Sequence, residues 1–100
     1  MNTRTFIGDL NDKFGKIVRV EIVVDIDAAH QGKFKYASRA DIRRFSNVET
    51  DVYLAWVKTV LKQISAETGK TIGYAGQSKG VGIFIHVKPD GTVEETRKKI

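Results

Sequence analysis

The sequence predicts an α+β fold in which an antiparallel or mixed four- to five-stranded sheet packs on one long helix, with one or two short helices beside it. Two patterns predict this fold: one segment alternates apolar and polar residues, and a later segment repeats its apolar residues at helical spacing before several strand-like segments. An alternating sheet face and a helical stripe must bury each other, which favours a layered architecture. The 100 residues suffice for one core, so residues 1–100 are predicted to form one domain.

The first two elements are predicted to be a short helix and a strand. Four apolar residues near the N-terminus fall at helical offsets, and Gly15 suits the position after a helix, which predicts a helix over residues 5–14. Those four residues are Phe6, Ile7, Leu10 and Phe14. Residues 17–27 then carry valine or isoleucine at every even-numbered position from 18 to 26, with mainly charged residues between them. This alternation is the strongest strand signal in the chain.

A loop and a second strand are predicted next. Residues 28–32 read as a loop, and in residues 33–37 the aromatic side chains alternate with lysines, which predicts a strand that forms a hairpin with the preceding one. Residues 39–45 are compatible with a brief turn of helix and equally with irregular chain. The two alternatives remain open at this point.

The long helix is predicted over residues 46–68. Ser46 and Glu49 have the spacing of a capping box, and Gly69 suits the end of the helix. The stripe expected to face the core consists of Tyr53, Val57, Val60, Leu61 and Ile64. Three strand-like segments follow, at residues 71–76, 80–88 and 92–99. A turn at Pro89, Asp90 and Gly91 joins the last two.

Composition excludes several classes of site. The chain contains no cysteine, so a disulfide framework, a thiolate metal site and a cysteine nucleophile are all ruled out. Its apolar segments are too short to span a bilayer, and the N-terminal residues lack the apolar region of a secretion signal. A cytoplasmic protein is therefore expected. The 17 basic and 12 acidic residues give a net charge of +5, which favours polyanionic partners.

Short motifs that resemble catalytic sites lack their required context. Ser78 lies in a G-x-S-x-G pattern, but a strand follows it where a nucleophile elbow needs a helix. Gly69, Lys70 and Thr71 resemble the end of a phosphate-binding loop, but the upstream glycine is missing. Asp25 and Asp27 could hold a divalent cation in a nuclease, the least favoured interpretation, because a convincing third ligand is absent. We therefore expect no enzymatic activity, no metal and no cofactor.

Two fragments resemble parts of the RNA-recognition motif family. Residues 6–10 are similar to its hexamer, and residues 79–84 are similar to its octamer. In that family, aromatic residues at the third and fifth octamer positions stack on bases. Val81 and Ile83 occupy those positions here, and the fragments lie too far apart for the family's order of elements. We therefore assign no family.

A basic segment is the main candidate for a binding site. Residues 33–44 contain five basic residues against a single acidic one, Asp41, and so hold most of the net charge. The predicted function is a small non-enzymatic nucleic-acid-binding module that contacts the phosphate backbone of DNA or RNA. The predicted binding residues are Lys33, Lys35, Tyr36, Arg39, Arg43 and Arg44. The competing interpretation is that this segment is an edge strand of the sheet, whose lysines only keep that edge solvated.

A protein-binding role is the alternative function. Val52 and Trp56 fall outside the predicted core stripe of the long helix, so either another part of the chain or a partner must cover them. Small size and the lack of catalytic residues are typical of inhibitors and adaptors, such as the anti-defence accessory proteins that phages and plasmids encode. Under this hypothesis, Val52 and Trp56 anchor a protein partner or a second copy of the chain.

Overall fold

The computed structural model describes residues 2–40 and 46–100, without the side chains of residues 39 and 40. These residues form six strands and two helices. In chain order, they are β1 (Thr3–Asn11), β2 (Ile17–Asp25), α1 (Ile26–His30), β3 (Tyr36–Ala40), α2 (Thr50–Thr68), β4 (Ile72–Ser78), β5 (Val81–Val87) and β6 (Val93–Lys99). Strands β1, β2 and β3 form sheet A, and strands β4, β5 and β6 form sheet B; both sheets are antiparallel.

The N-terminal segment is a strand, so the helix predicted over residues 5–14 is wrong. Strand β1 pairs with β2 along its whole length, from Thr3 opposite Asp25 to Asn11 opposite Ile17. The spacing of the apolar residues there fits both a helix and a strand, and pairing with the strongly alternating β2 selects the strand. In that form Leu10 is buried, whereas Ile7 is 57% exposed.

Strand β2 is the central strand of sheet A, as its alternation predicts. Its even-numbered residues from Val18 to Val24 are at most 2% exposed. The predicted pairing of β2 with the following strand is confirmed, although β3 begins at Tyr36. Helix α1 replaces the end of the predicted strand and the first part of the predicted loop, because the Asp25 carboxylate accepts a hydrogen bond from the Ala28 amide at 3.1 Å and caps the helix. Of the undecided segment, residues 39 and 40 belong to β3, and residues 41–45 lie outside the described residues.

The long helix α2 ends where the sequence predicts but begins later. Gly69 adopts a left-handed conformation with φ of 66° and ends the helix at Thr68. The first helical residue is Thr50, and the N-cap residue is Glu49, which makes no side-chain capping hydrogen bond. The predicted start at Ser46 is therefore wrong. Within the described residues, no helix is both long enough and apolar enough to cross a membrane.

The three C-terminal strands are confirmed, and they form a sheet of their own. β4 and β5 are joined by a two-residue turn in which Lys79 and Gly80 both have positive φ, 51° and 77°. This is the backbone that tight hairpins require. β5 also pairs with β6, which makes β5 the central strand of sheet B.

The α+β class is confirmed, but the single four- to five-stranded sheet predicted above is replaced by two three-stranded sheets. Helix α2 packs against both of them, and one core cluster contains residues from β2, α1, α2, β4 and β5. The buried helix residues include most of the predicted stripe and, in addition, Leu54. The two sheets divide because the buried surface of α2 is too wide for one sheet face to cover.

Candidate nucleic-acid interface

The described part of the predicted basic segment is exposed. Lys33 and Lys35 are exposed, and neither forms an ion pair with a described residue. Arg43, Arg44 and the side chain of Arg39 lie outside the described residues. The lysines therefore remain candidates for phosphate contacts.

The aromatic residues that alternate with these lysines belong to a cluster that joins the two sheets. The rings of Phe34 and Tyr36 stack at 4.7 Å between centroids, and Tyr36 stacks on Tyr74 of β4 at 5.7 Å. The hydroxyl of Tyr74 is hydrogen bonded to those of Tyr36 and Tyr53. Burial and the Tyr74 hydroxyl raise the pKa of Tyr36 to about 12, and burial and the Tyr53 hydroxyl raise the pKa of Tyr74 to about 12. The ring of Tyr36 is thus already engaged inside the protein, although the residue is 37% exposed.

The outer face of sheet B, which points away from α2, presents a regular array of side chains. Strand pairing aligns Phe84 of β5 with Ala75 on one side and Thr96 on the other, and aligns His86 with Gly73 and Glu94. Phe84 is 41% exposed, and His86 and Ala75 are also exposed. We refer to this array, together with the third row of Gln77, Gly82 and Lys98, as the outer platform.

Glycines lie beside the two rings of the outer platform. A Cβ added to Gly73 would lie 3.3 Å from two atoms of the His86 ring. A Cβ added to Gly82 would lie 3.5 Å from the Phe84 ring and from the Ile100 side chain. Each ring therefore leans over a residue that has no side chain. Flat aromatic surfaces on an open sheet are the arrangement on which unpaired bases stack.

Positive charge lies at one end of the outer platform. Lys98 belongs to the platform row of Gln77 and Gly82, and Lys79 lies in the adjoining β4–β5 turn. Neither lysine forms an ion pair with a described residue. At the other end, Glu94 is neutralised by Lys88 at 3.0 Å, and this pairing lowers the pKa of the Glu94 carboxyl. The field over the platform is therefore positive at the Lys79 end.

The two residues proposed as protein-binding anchors differ in exposure. The indole of Trp56 lies over Gly8 of β1, where an added Cβ would be 2.3 Å from its Nε1 atom. Trp56 is partly buried and packs against apolar residues of the core, so β1 covers it where a helix was expected. Val52 is 40% exposed. Val52 is therefore the more exposed of the two residues.

Two residues of the catalytic-like motifs, Ser78 and Asp25, make contacts that stabilise the fold. The Ser78 hydroxyl lies 2.9 Å from that of Thr50, and Asp25 caps α1. Among residues 2–40 and 46–100, no group of three or more histidine, aspartate or glutamate side chains could hold a metal ion.

Comparison with family models, curated proteins and solved structures finds no match for this chain. Its function is therefore inferred from geometry and chemistry.

Sequence reasoning missed the outer platform. In the octamer-like fragment, Val81 and Ile83 occupy the positions of the stacking aromatics, and Ile83 is buried on the inner face of β5. The alternation within β5 contained the missing signal, because four aliphatic residues at odd-numbered positions place Phe84 and His86 together on the other face.

Proposed function

We propose that this protein is a non-enzymatic module that binds single-stranded DNA or RNA across the outer platform. The observation that carries this proposal is the exposed Phe84 ring at the centre of an open sheet face, flanked by the small residues Ala75 and Thr96 and by His86. The residues paired with Phe84 on both neighbouring strands are small, so a base can approach the ring across them. Base–aromatic stacking is largely independent of sequence, so we expect weak sequence preference.

The charges near the outer platform support a nucleic-acid ligand. A base stacked on Phe84 places its phosphates toward the edges of the sheet, where Lys98 and Lys79 can contact them. A duplex has no unstacked bases to offer, which favours single strands. We keep a cytoplasmic location as part of the proposal.

The predicted basic segment supplies a second region of phosphate contact in this proposal. Lys33 and Lys35 are exposed and lack described ion-pair partners, and Arg39, Arg43 and Arg44 follow them in the sequence. The side chain of Tyr36 packs in the cluster and contributes mainly to positioning.

The test of this proposal is the binding of labelled mixed-sequence single strands, followed by fluorescence anisotropy at about 50 mM salt. Phe84→Ala should weaken binding about 5- to 140-fold, the range for loss of one stacked base. Phe14→Ala is the matched control, because Phe14 is a 67% exposed phenylalanine on the β1–β2 loop, away from the platform. Wild-type protein that binds neither DNA nor RNA at this salt concentration would exclude the proposal.

Salt dependence tests the phosphate contacts separately. Lys98→Ala and Lys79→Gly should each lower the slope of log affinity against log salt by about one contact, and glycine preserves the positive φ at residue 79. Replacing Lys33, Lys35, Arg43 and Arg44 together should lower it further. Lys62→Ala, an exposed lysine of α2, should leave the slope unchanged.

A protein partner is the second candidate function, favoured by apolar side chains exposed on β1, on β2 and in the β1–β2 loop. Ile7, Phe14 and Ile17 are 57%, 67% and 59% exposed, and such groups are typical of contact surfaces when they cluster. Val52 and Trp56 remain the anchors proposed from the sequence. A pull-down from lysate with and without nuclease separates the two functions, because partners retained after nuclease treatment bind the protein directly.

A further inference from the structure

A pocket of about 270 Å³ opens where the start of α2 meets the end of β4 and the β4–β5 turn. Its apolar walls include Leu54 of α2 and the rings of Tyr53 and Tyr74. Gly76 also lines it, and a Cβ there would lie 2.7 Å from the Tyr74 hydroxyl. Glycine at this position therefore leaves room for that hydroxyl and keeps the pocket open.

Hydroxyl groups supply the polar part of the pocket. Thr50 and Ser78 both line it, and their hydroxyl oxygens lie 2.9 Å apart. Two hydroxyls that share one hydrogen bond retain one further donor and several acceptor lone pairs, so they can bind the edge of a planar ligand. The Tyr74 phenol is neutral at physiological pH, and burial and the Tyr53 hydroxyl raise its pKa further, to about 12.

The charge of the pocket selects the class of ligand. Among its described lining residues, Lys79 carries a charge and none is a carboxylate. A neutral planar group held between aromatic and aliphatic walls, with a phosphate on the lysine, satisfies all of these features. The same lysine lies at the positive end of the outer platform, so the two surfaces share a phosphate contact.

We propose that this pocket binds one nucleotide, with its base between the tyrosine and leucine walls, its edge on the Thr50 and Ser78 hydroxyls, and its phosphate on Lys79. This inference rests on the proposed function: the nucleotide belongs to a DNA or RNA strand that crosses the outer platform and ends in, or bends into, the pocket. The pocket then supplies the contacts to a base edge that stacking on Phe84 lacks. Preference among the four bases arises here.

The experiment measures binding of the four nucleoside monophosphates and of inorganic phosphate to the wild-type protein, by calorimetry and amide chemical shifts. We expect at least one nucleotide to bind and to shift the amides of Thr50, Ser78 and Lys79, with phosphate alone much weaker. The double variant Thr50→Val and Ser78→Ala removes both hydroxyls and keeps the shape, and it should weaken binding about 10-fold. Thr59→Val is the matched control, because its exposed hydroxyl donates to the Ala55 carbonyl away from the pocket.

The outcomes separate this inference from the proposed function. Nucleotide binding that the double variant does not weaken, or shifts confined to Phe84 and His86, would overturn the pocket site. Single-strand binding that depends on Phe84, combined with no nucleotide binding, would overturn the pocket alone. Nucleotide binding that the double variant weakens, without any binding of single strands, would support the pocket and overturn the proposed module.

Discussion

Gly8 and Trp56 form the closest fit between a residue without a side chain and a large one in the described structure. The indole occupies the space that a side chain at residue 8 would need, with its Nε1 atom 2.3 Å from an added Cβ. Trp56 packs against both hydrophobic clusters, including the one formed by Leu10, Val18 and Val20. This contact therefore helps to position α2 against sheet A.

We expect Gly8→Ala to destabilise the protein by about 1–3 kcal/mol, since either the indole or the β1 backbone must move. Gly82→Ala is the matched control within a strand, because its Cβ would meet neighbours at 3.5 Å, an ordinary contact. The control should change stability by less than about 1 kcal/mol, because alanine is less flexible than glycine in the unfolded chain. Urea unfolding monitored by circular dichroism measures both; equal losses would contradict the proposed packing.

At the scale of single elements, the two ends of α2 differ in how they are capped by hydrogen bonds. At the C-terminal end, Gly69 donates its amide to the Ser65 carbonyl, and the buried Ser65 hydroxyl lies 3.1 Å from the Val87 carbonyl of β5. At the N-terminal end, Glu49 makes no side-chain capping bond. The N-cap position is therefore an available site for stabilisation.

Glu49→Ser should raise the free energy of unfolding by about 1 kcal/mol relative to Glu49→Gln, because serine can accept a hydrogen bond from an amide of the first turn and glutamine is a poor cap. Both changes remove the same charge, so their difference isolates the cap. Thermal melts of the two variants and of wild type provide the measurement. Identical melting temperatures for the serine and glutamine variants would show that another group already caps α2.

At the scale of the whole molecule, α2 holds two sheets together and the tyrosine cluster joins them again at one side. The buried surface of α2 runs from Trp56 round to Ser65, roughly half of the helix circumference. Sheet A meets the Trp56 side at Gly8. The Tyr36 and Tyr74 rings then connect β3 to β4, although these strands are not paired with each other.

The tyrosine cluster should make stability fall at alkaline pH. The pKa values of Tyr36 and Tyr74 rise from 10.0 to about 12 on folding, so between these values the folded state keeps protons that the unfolded state has lost. The stabilising contribution is complete below pH 10 and disappears as pH rises through about 12. Urea unfolding as a function of pH should show a shallower decline in Tyr36→Phe, which keeps the stacked ring. The same decline in both proteins would show that Tyr36 does not titrate in this way.

Local patterns predicted those elements whose period is unambiguous. The alternation of β2, the C-terminal strands and the end of α2 at Gly69 follow from neighbouring residues, because strand period, turn chemistry and the left-handed cap are local properties. The apolar residues of β1 satisfy both a helical and an extended pattern. Pairing with β2 over nine residues, a contact between distant segments, selects the strand.

The candidate site could also be predicted only in part from the sequence. The sequence identified the basic segment, because charge is visible in composition, and it indicated that α2 has more apolar surface than one sheet face covers. It did not indicate that a second sheet covers that surface, or that Phe84 lies on an open face while Tyr36 packs inward. Those outcomes depend on which side of each sheet faces α2, and alternation alone leaves the two sides of a strand equivalent until the helix packs against one of them.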